Sequence, residues 1–194
     1  MKRSVMISIN PKWCEKIAAG QKQIEIRKTR PTYETPFKCY IYQTKKKWYC
    51  SALRLLGKED LAEYLEENHG QVIGEFICRD IEPITPYGCL STHYATPRTC
   101  KTNLIIKSGL YPESELIDYL GYNKGFAWHI SDCIIYDKSK KLSDFYRIAP
   151  CGAYSLIKGV CDLSTPCIET PNDFCSGKKI ICSPQSWCYV EELK

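Results

Sequence analysis

Gly20-Gln21-Lys22-Gln23-Ile24-Glu25-Ile26-Arg27 decides how this chain is read. Upstream, Asn10 is a suitable helix cap and Pro11 suits a first helical position. Trp13, Cys14, Ile17 and Ala18 then recur at helical spacing, and Gly20 supplies the stop. That apolar face assigns Trp13 to the core rather than to a ligand platform. After the glycine the period changes from about 3.6 to 2. Ile24 and Ile26 fall on one face of a strand, Glu25 and Arg27 on the other, and Lys22 projects from the turn before it. Two readings stay open. In one, Glu25 and Arg27 form an ordinary strand-surface ion pair worth under ~1 kcal/mol. In the other, Glu25 holds the planar donors of Arg27 toward a base edge or phosphate, with Lys22 adding a point charge.

Working outward, residues 4–9 read as the strand that enters this helix. Phe37–Thr44 alternates as another strand, bracketed upstream by Pro31 and Pro36. Residues 45–69 open with Lys45-Lys46-Lys47 and read as an insertion, with a charged helix from Lys58 to Asn68 that Gly70 ends. Gln71–Ile81 is a strand apolar on both faces, followed by a Thr-, Pro- and Cys-containing loop from Pro83 to about Gly109. Pro112 opens a short helix that Gly121 closes. Gly125–Tyr136 reads as the longest strand, Lys138–Phe145 as a basic turn, 146–182 as irregular, and Ser186–Val190 as a closing strand. Short strands with a few helices between them predict an α+β barrel rather than a parallel sheet.

A length of 194 residues fits one domain spanning 1–194, with the insertion at about 45–69 and an irregular cysteine-rich segment at about 146–183. At 44% hydrophobic and 25% charged, the chain can bury a core. No apolar run reaches the ~20 residues of a membrane helix, and Asn10-Pro11 interrupts the N-terminal apolar stretch, so a cytoplasmic protein is expected. Net charge is +5, unevenly spread: residues 1–58 carry 14 basic against 3 acidic side chains, the remainder 13 against 19. Such a split suits a surface that meets phosphate, or else a solvated Lys-rich face.

The usual catalytic signatures are missing: no glycine-rich phosphate loop, dinucleotide fingerprint, His-Glu-x-x-His, Gly-x-Ser-x-Gly or Cys-x-x-Cys. Three histidines, His69, His93 and His129, limit acid–base chemistry. His69 ends the charged helix, His93 lies in a polar loop, and His129 follows Trp128 on a strand as either a structural or a functional histidine.

The pattern Gly20-x-Lys22-x-x-Glu25-x-Arg27 resembles the signature of the ASCH domain, a member of the PUA-like superfamily. Ser8-Ile9-Asn10-Pro11-Lys12-Trp13, Arg27-Lys28-Thr29-Arg30-Pro31 and Tyr40-Ile41-Tyr42 resemble the segments around it. Ala127-Trp128-His129-Ile130, Leu142-Ser143-Asp144-Phe145 and Pro184 through Leu193 resemble the phage-associated branch. The resemblance implies a PUA-like β-barrel with short flanking helices and a cleft beside Lys22, Glu25 and Arg27 that binds RNA or a nucleotide-like ligand. Arg30, Tyr42, Trp128, His129 and Trp187 complete the expected ligand-binding set, the aromatics as stacking surfaces for an unpaired base. Some relatives hydrolyse acetylated cytidine with a lysine, a threonine and a glutamate. Lys22 matches the lysine, but Glu25 stands where the threonine belongs, and a carboxylate is not a hydroxyl nucleophile. Lys22, Glu25 and His129 are the catalytic candidates if the chain is an enzyme, and a ribonuclease built on Lys22, Tyr42 and His129 is the other enzymatic alternative. A third possibility is an accessory domain whose basic lobe meets an acidic protein.

Six of the thirteen cysteines, Cys151, Cys161, Cys167, Cys175, Cys182 and Cys188, crowd the last 44 residues. No cofactor is expected. A structural zinc held by Cys151, Cys161, Cys167 and Cys175 is physically reasonable, although the spacing lacks the short Cys-x(2–4)-Cys knuckle typical of such sites. Buried thiols are the alternative reading.

Overall fold

The computed structural model describes residues 3–45, 47–86, 94–95, 109, 113–121, 123–150 and 174–193. These form two compact units. The first comprises residues 1–11, 40–74 and 136–194, the second residues 12–39 and 75–135.

The elements, in chain order, are β1 (Arg3–Ile9), α1 (Pro11–Ala18), β2 (Ile24–Arg27), β3 (Phe37–Gln43), α2 (Lys47–Leu55) and α3 (Glu59–Asn68). After these come β4 (Val72–Pro86), β5 (Tyr94–Ala95), α4 (Glu113–Leu120) and β6 (Gly125–Lys140). A 3-10 turn at Leu142–Asp144 leads to β7 (Tyr146–Pro150), β8 (Phe174–Lys179) and β9 (Trp187–Glu191). Strands pair along the open path β2-β6-β4-β3-β1-β9-β7-β8, with β5 attached to β4. The class is α+β, as the pattern predicts. The sheet is not closed into a barrel: among the described residues its path ends at β2 and at β8 instead of joining them.

The first unit is built around β1 and β9, antiparallel from Arg3 opposite Glu191 to Ile7 opposite Trp187. Its core gathers Met6, Tyr40, Tyr42, Val72, Phe145, Cys188 and Val190. The Tyr40 ring meets Phe145 edge-on at 4.9 Å, and its hydroxyl accepts the Leu193 N–H at 2.9 Å, which ties down the end of the chain. Residues 47–68 form the α2–α3 pair, closed by Cys50, Leu53 and Ala62 and by the exposed Arg54–Glu66 ion pair.

The second unit holds β2 against β6, antiparallel from Ile24 opposite His129 to Arg27 opposite Phe126. Ile24, Ile26, Ile84, Ala127, Leu116 and Leu120 make its apolar cluster, so α4 packs on the isoleucine face of β2.

Three further expectations are corrected, and one stretch without an expected element gains one. The basic turn at 138–145 begins with strand, because β6 continues to Lys140. β4 runs through Pro83 to Pro86, where a loop was expected. A proline is compatible with a strand wherever its missing N–H would not have entered a ladder. Part of the irregular stretch 146–182 is strand, since β7 pairs with both β8 and β9. The start of the insertion is helix α2.

Candidate ligand site

The end of α1 shows why Lys22 lies where it does. Gly20 adopts φ +69°, a left-handed conformation that glycine reaches without a Cβ penalty. Gly20 N–H donates to Ile17 O at 2.9 Å and Gln21 N–H to Lys16 O at 2.9 Å, the paired bonds of a Schellman cap. The chain therefore turns sharply, and Lys22 swings inward as β2 begins.

Lys22 is 1% exposed, Glu25 3% and Arg27 7%. The face of β2 that alternation marks as charged is thus as buried as its isoleucine face. Lys22 Nζ donates to Ile24 O at 2.7 Å and to Gly109 O at 2.6 Å, and lies 3.4 Å from Glu25 Oε2. Arg27 Nη2 lies 3.1 Å from Glu25 Oε1. One carboxylate therefore bridges two cations, and the cluster carries a net positive charge. The Arg27 guanidinium also neighbours the Tyr119 hydroxyl, on α4, and lowers its pKa against the larger effect of burial.

Burial sets the electrostatics here. It lowers the Lys22 pKa, which the neighbouring Glu25 partly offsets. It raises the thiol of Cys14, on α1, and Glu25 raises it further. Burial likewise raises Tyr119. A lowered pKa is the direction a lysine base needs, but the Lys22 amine is spending its hydrogens on two carbonyls. The geometry makes it a fixed donor rather than a proton acceptor.

Trp128 pairs with Glu25 across the β2–β6 ladder, so both side chains stand on one face of the sheet. Its ring is 0% exposed and meets Phe37 edge-on at 5.9 Å, so it has no open face for a base. By alternation His129 points to the opposite face, where Nε2 lies 3.2 Å from Glu82 Oε1. Arg30 is exposed and donates from Nε to Pro31 O at 3.3 Å. Tyr42 and Trp187 belong to the first unit. Tyr42 is in its core, with its hydroxyl pKa raised by burial, and Trp187 stands edge-on to Tyr189 at 5.3 Å. Of the expected set, the second unit thus gathers Lys22, Glu25, Arg27 and Trp128 on one strand face, and His129 on the other.

Two residues that the sequence reading left out stand at this site. Tyr119 contacts Arg27, and Trp13 lies with its ring centroid 4.9 Å from Lys22 Nζ. The helical spacing of Trp13 gave the ordinary signal of a core residue. The one further hint in the sequence was the nearness of Trp13 to the Lys22 turn.

Cys151, Cys161 and Cys167 lie outside the described residues, as does the side chain of Cys175. No cluster of three or more metal-ligating side chains occurs among the described residues.

The ASCH domain family model matches residues 7–140, well over half of the chain. The chain belongs to the ASCH family. Its fold is similar to the crystal structure of an ASCH protein from Zymomonas mobilis, with TM-score 0.51 and 15% identity over 97% of this chain and 88% of that one. A single-substitution variant of the same Zymomonas protein gives TM-score 0.50 and 15% identity, covering 97% of this chain and 91% of the variant. No curated protein matches the chain. At 15% identity these likenesses establish the shared ASCH fold. Among the described residues no helix is long and apolar enough to cross a membrane.

Proposed function

We propose that this ASCH domain binds RNA, or a nucleotide-like ligand, through the Lys22–Glu25–Arg27 face of its second unit. The observation that carries the reading is the burial of three charged side chains within one four-residue strand and the turn before it. Taking such groups out of water costs several kcal/mol per ion. Well-packed apolar residues would fill the same space more cheaply, so the cluster is expected to serve recognition. Its chemistry fits a nucleotide: a planar donor from Arg27 and an acceptor from Glu25, whose carboxylate Lys22 holds in place. The basic surplus of residues 1–58 adds attraction for a polyanion. On this reading the protein works in the cytoplasm, and the tail from Pro184 to Leu193 aligns it with phage-associated members.

Fluorescence anisotropy of a labelled single-stranded RNA tests the proposal. Affinity should fall as salt rises, and Arg27→Ala should weaken binding about tenfold or more, consistent with loss of a charge-assisted contact. Salt-independent binding, or an Arg27→Ala variant that is folded and binds like the wild type, contradicts it.

A further inference from the structure

We infer that Trp13 is the aromatic wall of the ligand site and stacks on an unpaired base whose polar edge meets Glu25 and Arg27, with Lys22 holding the Glu25 carboxylate in place. The inference rests on the RNA-binding reading and adds the chemistry of the ligand: a nucleobase, not a phosphate, occupies the centre.

Trp13 differs from Trp128 in the property that matters. Trp128 has no exposed surface, whereas Trp13 is only partly buried, lying with Ile117 and Tyr119 against the cluster of Ile24, Ile26, Leu116 and Leu120. Two ammonium groups lie close to its ring, Lys22 Nζ at 4.9 Å and Lys12 Nζ at 4.4 Å from the centroid. Their mobilities differ. Lys22 is held by two main-chain carbonyls and is part of the buried cluster. Lys12 has a side chain 52% exposed and pairs with the similarly exposed Glu115 at 3.1 Å, a contact that water and salt weaken. Lys12 can therefore leave the indole to an incoming ring and turn its charge to the adjoining phosphate, while Lys22 stays in place.

The carboxylate decides between base and phosphate. An anion entering the cluster would face Glu25 as well as the two cations. A base edge carries both acceptors and N–H donors, which match Arg27 on one side and Glu25 on the other, while Lys22 fixes the carboxylate. Stacking on an aromatic ring tolerates any base, so the wall contributes affinity and the charged triad contributes selectivity.

Quenching of intrinsic tryptophan fluorescence by an unlabelled single-stranded RNA, run beside the anisotropy assay, provides the test. The wild type should show quenching. Trp13→Phe should keep affinity within about threefold and lose most of the quench, while Trp13→Leu should lose affinity by about tenfold, the order expected for one stacked base. Inorganic phosphate should not compete at concentrations where free nucleosides do. Undiminished quenching in Trp13→Phe, or phosphate competing as well as nucleosides, overturns the inference and leaves RNA binding intact. Failure of the wild type to bind RNA overturns both. The Trp13→Phe quench decides the matter even if Trp13→Leu does not fold.

Discussion

Glu25→Gln removes the one negative charge between two buried cations and changes the side-chain volume little. In the wild type Glu25 lies 3.4 Å from Lys22 Nζ and 3.1 Å from Arg27 Nη2, and the carboxylate is 4% exposed. Removing one partner of a buried ion pair typically costs ~3–5 kcal/mol. Lys22 limits that loss, because its pKa is already lowered by burial and the variant lowers it further by removing the offsetting carboxylate. Easier loss of the Lys22 proton limits the like-charge repulsion, which places the expected cost near the lower bound, about 3 kcal/mol at pH 7. With a urea m-value of about 2 kcal/mol/M, the unfolding midpoint should drop by about 1.5 M. The loss should also depend on pH. A lysine whose folded pKa lies below its unfolded value binds more protons when unfolded, so stability rises with pH across the interval between the two. The deficit of Glu25→Gln should therefore shrink between pH 7 and pH 10, and adding Lys22→Met should remove that dependence. A variant within about 0.5 kcal/mol of the wild type at pH 7, with no dependence on pH, would contradict a buried ion-pair cluster, since so small a loss is what an exposed pair contributes.

Tyr40→Phe deletes the hydroxyl that accepts the Leu193 N–H, while keeping the ring against Phe145. A loss of about 1 kcal/mol by chemical denaturation is expected, and no loss would mean that the chain end is not tied down there. Burial pushes the Cys188 thiol up from its ordinary 9.0 to about 11, so between those values the unfolded chain ionises first. Stability should fall over that interval by on the order of 2–3 kcal/mol from this group, and Cys188→Ala should flatten the fall measured from pH 8.5 to 11. Among the described cysteines, Cys133 and Cys182 are exposed and Cys14, Cys39 and Cys78 are buried. Peptide mapping after brief alkylation should find label on the first two and protection of the other three, and the reverse order would contradict the packing of the second unit.

The helix–turn–strand around Lys22 was legible because local chemistry specifies it. Asn10-Pro11 opens α1, Gly20 alone accepts the left-handed cap, and β2 starts four residues later. The closing strand β9 was legible for a similar reason, a short apolar alternation after Pro184. β7 and β8 were not, because a strand earns its identity from a partner, and theirs lie across 23 intervening residues or on β9. Pro83 read as a breaker, although its effect depends on whether a neighbour needs its N–H. The barrel expectation came from strand count, and closure depends on whether the two outermost strands meet, which no single strand encodes.

The site shows the same division. Alternation placed Glu25 and Arg27 together but could not say what covers them. Their burial depends on Trp128 across the ladder, and on Tyr119, about 90 residues on in the sequence and brought near by the fold. Trp13 was assigned to the core by its helical spacing, and it does pack there in part. Its approach to the Lys22 ammonium depends on how sharply the Gly20 cap turns the chain, a property of three-dimensional geometry rather than of spacing.

Ultraviolet crosslinking of the full chain to a single-stranded RNA, with the attached peptides located by mass spectrometry, would locate the bound RNA on the protein. Crosslinks are expected within residues 12–28 and at Tyr119, and should be lost in Arg27→Ala. Crosslinks confined to the lysine-rich stretch at 45–58, unchanged in Arg27→Ala, would contradict it.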